Sequence, residues 1–244
     1  AFSYLGDVPK EPSDAGFFVY RAGLFLTVGQ VQKAVTDIQK ALRLDPRSAR
    51  ATALRSVIAV TQNRKEQALD LAQAAARLDP ESPSARIALS YALQARFNLE
   101  GALESLQEAV RLNPENALAL ARLAEMWLSL GDLDGALKHS RKAVRIRPGL
   151  ARTQTVLGFA YLSQIKIQEA LDAFDKAIRL DQADPLPRLG LGLAKIRRGD
   201  LSEGRAEIEI AASLDPNSAI IRSYLGKAYF EEKRGNLAAN QLQV

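Results

Sequence analysis

The chain has 244 residues, 47% hydrophobic and 25% charged, ordinary globular proportions that exclude wholesale disorder and a fibrous protein. A net charge of +5 permits an acidic partner, but over so long a chain it is only a mild excess. Zero cysteines exclude a disulfide framework and thiolate metal sites, and no apolar run reaches membrane-spanning length, since even Ala117 to Leu130 is broken by Arg122 and Glu125. No basic-then-apolar leader opens the chain and Met126 is the only methionine, so a processed or excised piece is expected.

Ala41 to Pro46, Ala-Leu-Arg-Leu-Asp-Pro, returns in close copies ending at Pro80, Pro114, Pro148, Gln182 and Pro216, an interval of 34 residues, and Pro12 is in phase. Self-similarity at this period marks a stacked array of helix pairs, expected to be continuous because such an array buries its core between neighbours. The spacing predicts full units at 15–48, 49–82, 83–116, 117–150, 151–184 and 185–218. Residues 1–14 are then the tail of an earlier unit and 219–244 an incomplete seventh.

Within each unit the order is the same. Asp14, Ser48, Ser82, Asn116, Asp184 and Ser218 stand at the unit ends as helix N-caps, with Leu150 the exception, and Pro83 and Pro185 occupy first helical positions. A turn is expected at Gly29, Asn63, Phe97-Asn98, Gly131, Ile165-Lys166, Gly199 and Lys233 to Gly235, Gly and Asn being suited to a left-handed cap. Gln32, Glu66, Glu100, Asp134 and Gln168 then open a second helix, where acidic and amide groups suit the N-terminal dipole.

Small residues recur at Ala22, Ser56, Ser90, Ala124, Gly158, Gly192 and Gly226 in the first helices. In the second helices they recur at Ala34, Ala68, Ala102, Ala136, Ala170, Gly204 and Ala238, and again at Ala41, Ala75, Ala109, Ala143, Ala177 and Ala211. These positions allow close helix approach. Leu123, Met126, Trp127, Leu157, Tyr161 and Phe174 fill the space between as a core stripe rather than a cofactor box.

Leu157-Gly158, Tyr161, Ala170, Phe174, Ala177 and Leu180-Asp181, with Leu225-Gly226, Tyr229 and Ala238, resemble the tetratricopeptide repeat over residues 15–242. The resemblance implies an all-α, right-handed solenoid of stacked antiparallel helix pairs, with six full repeats and partial ones at both ends. Arg21, Arg55 and Ala59 depart from the pattern at positions where large apolar residues pack, and looser packing of the first two repeats is expected from them. Ser213 to Leu242 resembles, more finely, the repeat region of bacterial envelope proteins that carry a FecR-like domain and an outer-membrane β-barrel. That points to the periplasm, with the cytoplasm as the alternative.

Chemistry is sparse. His139 is the one histidine, mid-helix beside Lys138, Arg141 and Lys142, and reads as a solvated surface residue; no metal, cofactor or catalytic set is expected. Leu189-Gly190-Leu191-Gly192-Leu193 lies inside a helix without the strand of a dinucleotide motif, and reads as helix packing. Arg198-Gly199-Asp200 spells an adhesion tripeptide on a turn position. Lys138, Arg141, Lys142, Arg145, Arg147 and Arg152 form the densest basic cluster, open to an acidic partner or nucleic acid but without interleaved aromatic residues for base stacking.

The resemblance also implies that first helices line a concave groove. Position by position this selects Val19, Tyr20, Leu54, Val57, Ile87, Tyr91, Gln94, Arg122, Glu125, Leu128, Arg152, Thr155, Phe159, Leu162, Leu189, Leu193, Ser223 and Lys227. Some must pack against neighbours; the rest form a largely apolar surface for a partner helix or extended peptide. Val19 and Gly23 stand where the first two of the Lys and Asn groups that grip a C-terminal carboxylate in the family's chaperone-tail binders would be, so a carboxylate clamp is not expected. A protein-interaction scaffold is the leading reading. The alternatives are a self-assembling spacer, associating through groove or chain ends, and an anion or nucleic-acid binder using the basic cluster.

Overall fold

The computed structural model describes residues 13–27 and 29–242, so most of the expected tail of a preceding unit lies outside the described residues. These hold fourteen helices and no strand. They are α1 Ala15–Thr27, α2 Val31–Leu44, α3 Ala49–Thr61, α4 Lys65–Leu78, α5 Pro83–Ala95, α6 Leu99–Leu112, α7 Ala117–Leu130, α8 Leu133–Ile146, α9 Ala151–Ser163, α10 Ile167–Leu180, α11 Pro185–Arg198, α12 Leu201–Leu214, α13 Ala219–Glu231 and α14 Gly235–Leu242. The architecture is all-α, built of stacked helix hairpins. Packing divides the array, expected to be continuous, into two compact units, one ending at Pro114 and one beginning at Glu115.

Local chemistry explains the punctuation. Ser48, Ser82, Asn116 and Ser218 accept from the backbone N–H three residues on, Asp184 accepts from Leu186, and Asp14 from Gly16 and Phe17. Leu150 has no such acceptor; there Thr153 Oγ1 donates to the carbonyls of Arg147 and Leu150. The Asp of the repeated Leu-Asp accepts from the N–H two residues on, at Asp45 and Asp79 before proline and at Asp181 before Gln182, a turn that stops the second helix and sets up the next cap.

Each first helix ends in a left-handed residue, at Gly29, Asn63, Phe97, Gly131, Ile165, Gly199 and Lys233. The N–H that follows reaches back to close the last turn, as Arg64 does to Ala59 and Asp132 to Trp127. Phe97, Ile165 and Lys233 show that the repeat imposes this conformation even on side chains that disfavour it.

In the first unit α1 packs on α2, α3 on α4 and α5 on α6; in the second α7 pairs with α8, α9 with α10, α11 with α12 and α13 with α14. The small residues sit at these crossings, Ala34, Ala41, Ala68, Ala75, Ala102, Ala109, Ala136, Ala143, Ala170, Ala177 and Ala211 all being fully buried. Ser56 Oγ donates to Ala68 O at 2.7 Å, so a polar side chain also serves as a spacer. Phe174 is fully enclosed, its ring pressed against the backbone at Gly158 and Gly190 and edge-on to Phe159. The Leu-Gly-Leu-Gly-Leu run is thereby helix packing, with Gly192 meeting Gly204 O across the α11–α12 crossing.

Of the three departures, Ala59 is buried and Arg55 exposed, while Arg21 forms a two-point ion pair with buried Asp37, Nε and Nη2 donating at 2.6 and 2.7 Å. Its guanidinium also lies over the rings of Phe17, Phe18 and Phe25.

Candidate functional site

In both units the first helices pack on one another, α1 on α3 and α3 on α5 in the first, α7 on α9 and α9 on α11 in the second. Successive second helices within a unit make no comparable contact, so the first helices form the tighter layer.

On that layer in the first unit, Tyr20 is the most open candidate, and Leu54, Val57, Ile87, Tyr91 and Gln94 are half-buried. Leu54 and Val57 also pack into the cores beneath them. Val19 is buried and cannot reach a ligand. In the second unit Leu128, Phe159, Leu162 and Leu193 are half-buried and Ser223 and Lys227 exposed, whereas Thr155 and Leu189 are buried. Arg122, too, is buried. Its Nη1 donates to Glu125, and Arg152 Nη2 from α9 donates to both oxygens of the same carboxylate. The polar centre of this face is therefore an internally compensated ion network.

The basic cluster divides. Arg152 belongs to the first-helix network, and Lys142 approaches Glu115 at 3.8 Å. Lys138, Arg141 and Arg145 rim an open cleft of about 630 Å³ between α8 and α9, floored by Leu137, Val144, Leu157 and Tyr161, with Asp134 at one end. The sequence reading missed an aromatic residue here. Tyr161, twenty residues along, lies under the Arg141 guanidinium at 5.4 Å and accepts from its Nε at 3.3 Å. A second correction concerns His139, which is half-buried, its Nδ1 donating to Gly135 O at 2.7 Å within α8.

At the tripeptide, Arg198 Nε donates to Asp200 Oδ2 at 2.5 Å across a left-handed Gly199, a closed turn. Among the described residues no group of His, Asp and Glu converges as metal ligands. No described helix is long and apolar enough to cross a membrane.

Tetratricopeptide repeat models match residues 21–83, 87–151 and 189–243, and a second such model matches 151–184. The chain belongs to the tetratricopeptide repeat family. Solved structures agree on the fold of this tetratricopeptide repeat protein. A thermophilic tetratricopeptide repeat protein of Thermus thermophilus matches at TM-score 0.62 and 24% identity, covering 66% of this chain and 88% of that one. A chain of the APC/C hetero-tetramer Cut9–Hcn1 matches at TM-score 0.71 and 20% identity, over 90% of this chain and 44% of that one. The human IFIT1 dimer with m7Gppp-AAAA matches at 0.76 and 16% identity, over 93% of this chain and 57% of that one. A search of curated proteins found no significant match.

Proposed function

We propose that this tetratricopeptide repeat chain is a non-catalytic scaffold whose first-helix faces hold a helix or extended segment of a partner protein. The reading rests on one observation above all: the first helices pack side by side while presenting half-buried apolar side chains, Ile87 and Tyr91 in one unit and Leu128, Phe159, Leu162 and Leu193 in the other. Partly exposed apolar side chains at helical spacing are what a partner's apolar ridge can cover. The related Cut9–Hcn1 chain works in a hetero-tetramer, a protein-partner setting that agrees with this reading.

A photo-crosslinking residue placed at Tyr91 or Leu162 should capture a partner polypeptide, and one at Glu104 or Lys176 on second helices should not. Light scattering across a concentration series tests the self-assembly alternative. A monomer at all concentrations supports the scaffold. Growth of mass with concentration, abolished by Tyr91→Asp, replaces it with a self-associating array.

A further inference from the structure

The 34-residue period makes the helix pairs α8–α9, α10–α11 and α12–α13 equivalent, with open clefts at the first two, and among their differences one bears on charge: whether the chain supplies a carboxylate to the cations there. Between α12 and α13 Tyr229 donates its hydroxyl to Glu209 at 2.6 Å, and Arg205 is held by Glu209 at 2.5 Å and Glu232 at 2.9 Å. In the α10–α11 cleft the cations Arg188 and Lys195 are held by Glu207 at 2.7 and 3.0 Å.

The α8–α9 cleft carries Tyr161 at the place of Tyr229, but Arg141 stands at the place of Glu209. Tyr161 therefore accepts from arginine instead of donating to a carboxylate, and its hydroxyl proton has no acceptor among the described residues. Lys138, Arg141 and Arg145 are all exposed, and none has a carboxylate partner among the described residues. Asp134, the single acid lining the cleft, instead accepts from Gln164 Nε2 at 3.0 Å.

We propose that this cleft is a docking site for an acidic peptide segment of another protein, distinct from the first-helix face. One carboxylate would enter between Arg141 and the Tyr161 hydroxyl, and a neighbouring apolar side chain would rest on Leu137, Val144 and Leu157. Charge complementarity identifies the class of occupant. Three cations at i, i+3 and i+7 of one helix match a short acidic segment, and the aliphatic floor matches an apolar anchor beside it.

A nucleic acid fits less well. The Tyr161 ring already carries the Arg141 guanidinium over one face where a base would stack, and Lys142 and Arg152 are turned to Glu115 and Glu125 instead of extending a phosphate track.

The test is fluorescence anisotropy of the 244-residue chain with a short labelled peptide of glutamates around a Leu-Leu anchor. Saturable binding is expected, lost when the glutamates become glutamines. Arg141→Glu, which places a carboxylate where α12 carries Glu209, should weaken it about tenfold or more, as should Lys138→Glu combined with Arg145→Glu. Lys176→Glu, the same charge change on α10 outside both the cleft and the first-helix face, should leave it unmoved. Circular dichroism confirms that each variant keeps its helix content, and the two rim variants test the site independently. No saturable binding, equal binding of the glutamine peptide, or indifference to both rim variants overturns the proposal. Tighter binding of oligodeoxythymidylate with the same rim dependence overturns it in favour of a nucleic-acid site.

Discussion

Arg152 on α9 donates to both carboxylate oxygens of Glu125 on α7, at 2.8 and 2.9 Å, and thereby ties two successive first helices together. From within α7, Arg122 holds the same carboxylate at 3.1 Å and is only 6% exposed, whereas the Arg152 side chain is 43% exposed. The two arginines should thus differ in worth. Glu125→Gln takes one countercharge from a desolvated guanidinium and is expected to cost about 1–3 kcal/mol. Arg152→Gln removes an exposed pair worth under about 1 kcal/mol. Urea unfolding of both variants checks this, and equal costs would mean that Arg122 does not depend on Glu125.

Phe174 leaves no room for a methyl group at its two glycine neighbours: a Cβ on Gly158 would lie 2.6 Å from the ring, and one on Gly190 2.3 Å. Gly158→Ala and Gly190→Ala should each destabilise by about 1–3 kcal/mol through overpacking. Gly23, also inside a helix, has open space where its Cβ would be, so Gly23→Ala should stabilise by about 0.5–1 kcal/mol. Thermal melts of the three variants should show these opposite signs.

Ile165 is a β-branched residue at φ +61°, in a turn where three equivalent positions carry glycine, and it is 62% exposed. Its side chain contributes little burial to offset the left-handed conformation. Ile165→Gly is expected to stabilise by about 1 kcal/mol, and Gly131→Ala to lose a similar amount. A lower urea midpoint for Ile165→Gly would contradict the strain argument.

Asp184 caps α11, and burial raises its carboxyl above the ordinary 3.8, outweighing the lowering by the N–H of Leu186. The unfolded chain therefore releases this proton first as pH rises. Stability from this group is lost between the ordinary value and the raised native one, and stays lower above that window. Asp184→Asn keeps a capping oxygen and removes the ionisation. It should raise the urea midpoint relative to the parent chain at pH 7 and give no such gain near pH 3, a difference that cancels the titration of all other groups.

How much was legible in advance can be judged from particular residues. The left-handed turn at Asn63 or Gly131 and the cap at Ser48 follow from local backbone chemistry, so the period located them without any tertiary knowledge. The buried Ala and Gly positions were legible for a similar reason, since a small residue held in phase through every unit has only close helix approach to explain it. Phe97 and Ile165 were located as turns, but nothing in their own side chains signals positive φ; the hairpin geometry imposes it.

Side-chain partners across helices were not legible. Arg21 read as a defect in an apolar position, and packing brought Asp37 from the next helix to it. Glu125 and Arg152 both read as groove residues, and only the stacking of α7 on α9 turned them into partners for one another. The basic residues read as one cluster, yet helix orientation sent Arg152 to one face and left Lys138, Arg141 and Arg145 around Tyr161 on another.

The sequence by itself determined the helix pairs, their period and their small-residue crossings, because these depend on local conformation and on a repeat read many times over. Which charges are satisfied and which stand unanswered was decided by the tertiary structure alone. That depends on side chains from different helices meeting within a few ångströms, a relation no interval along the chain expresses.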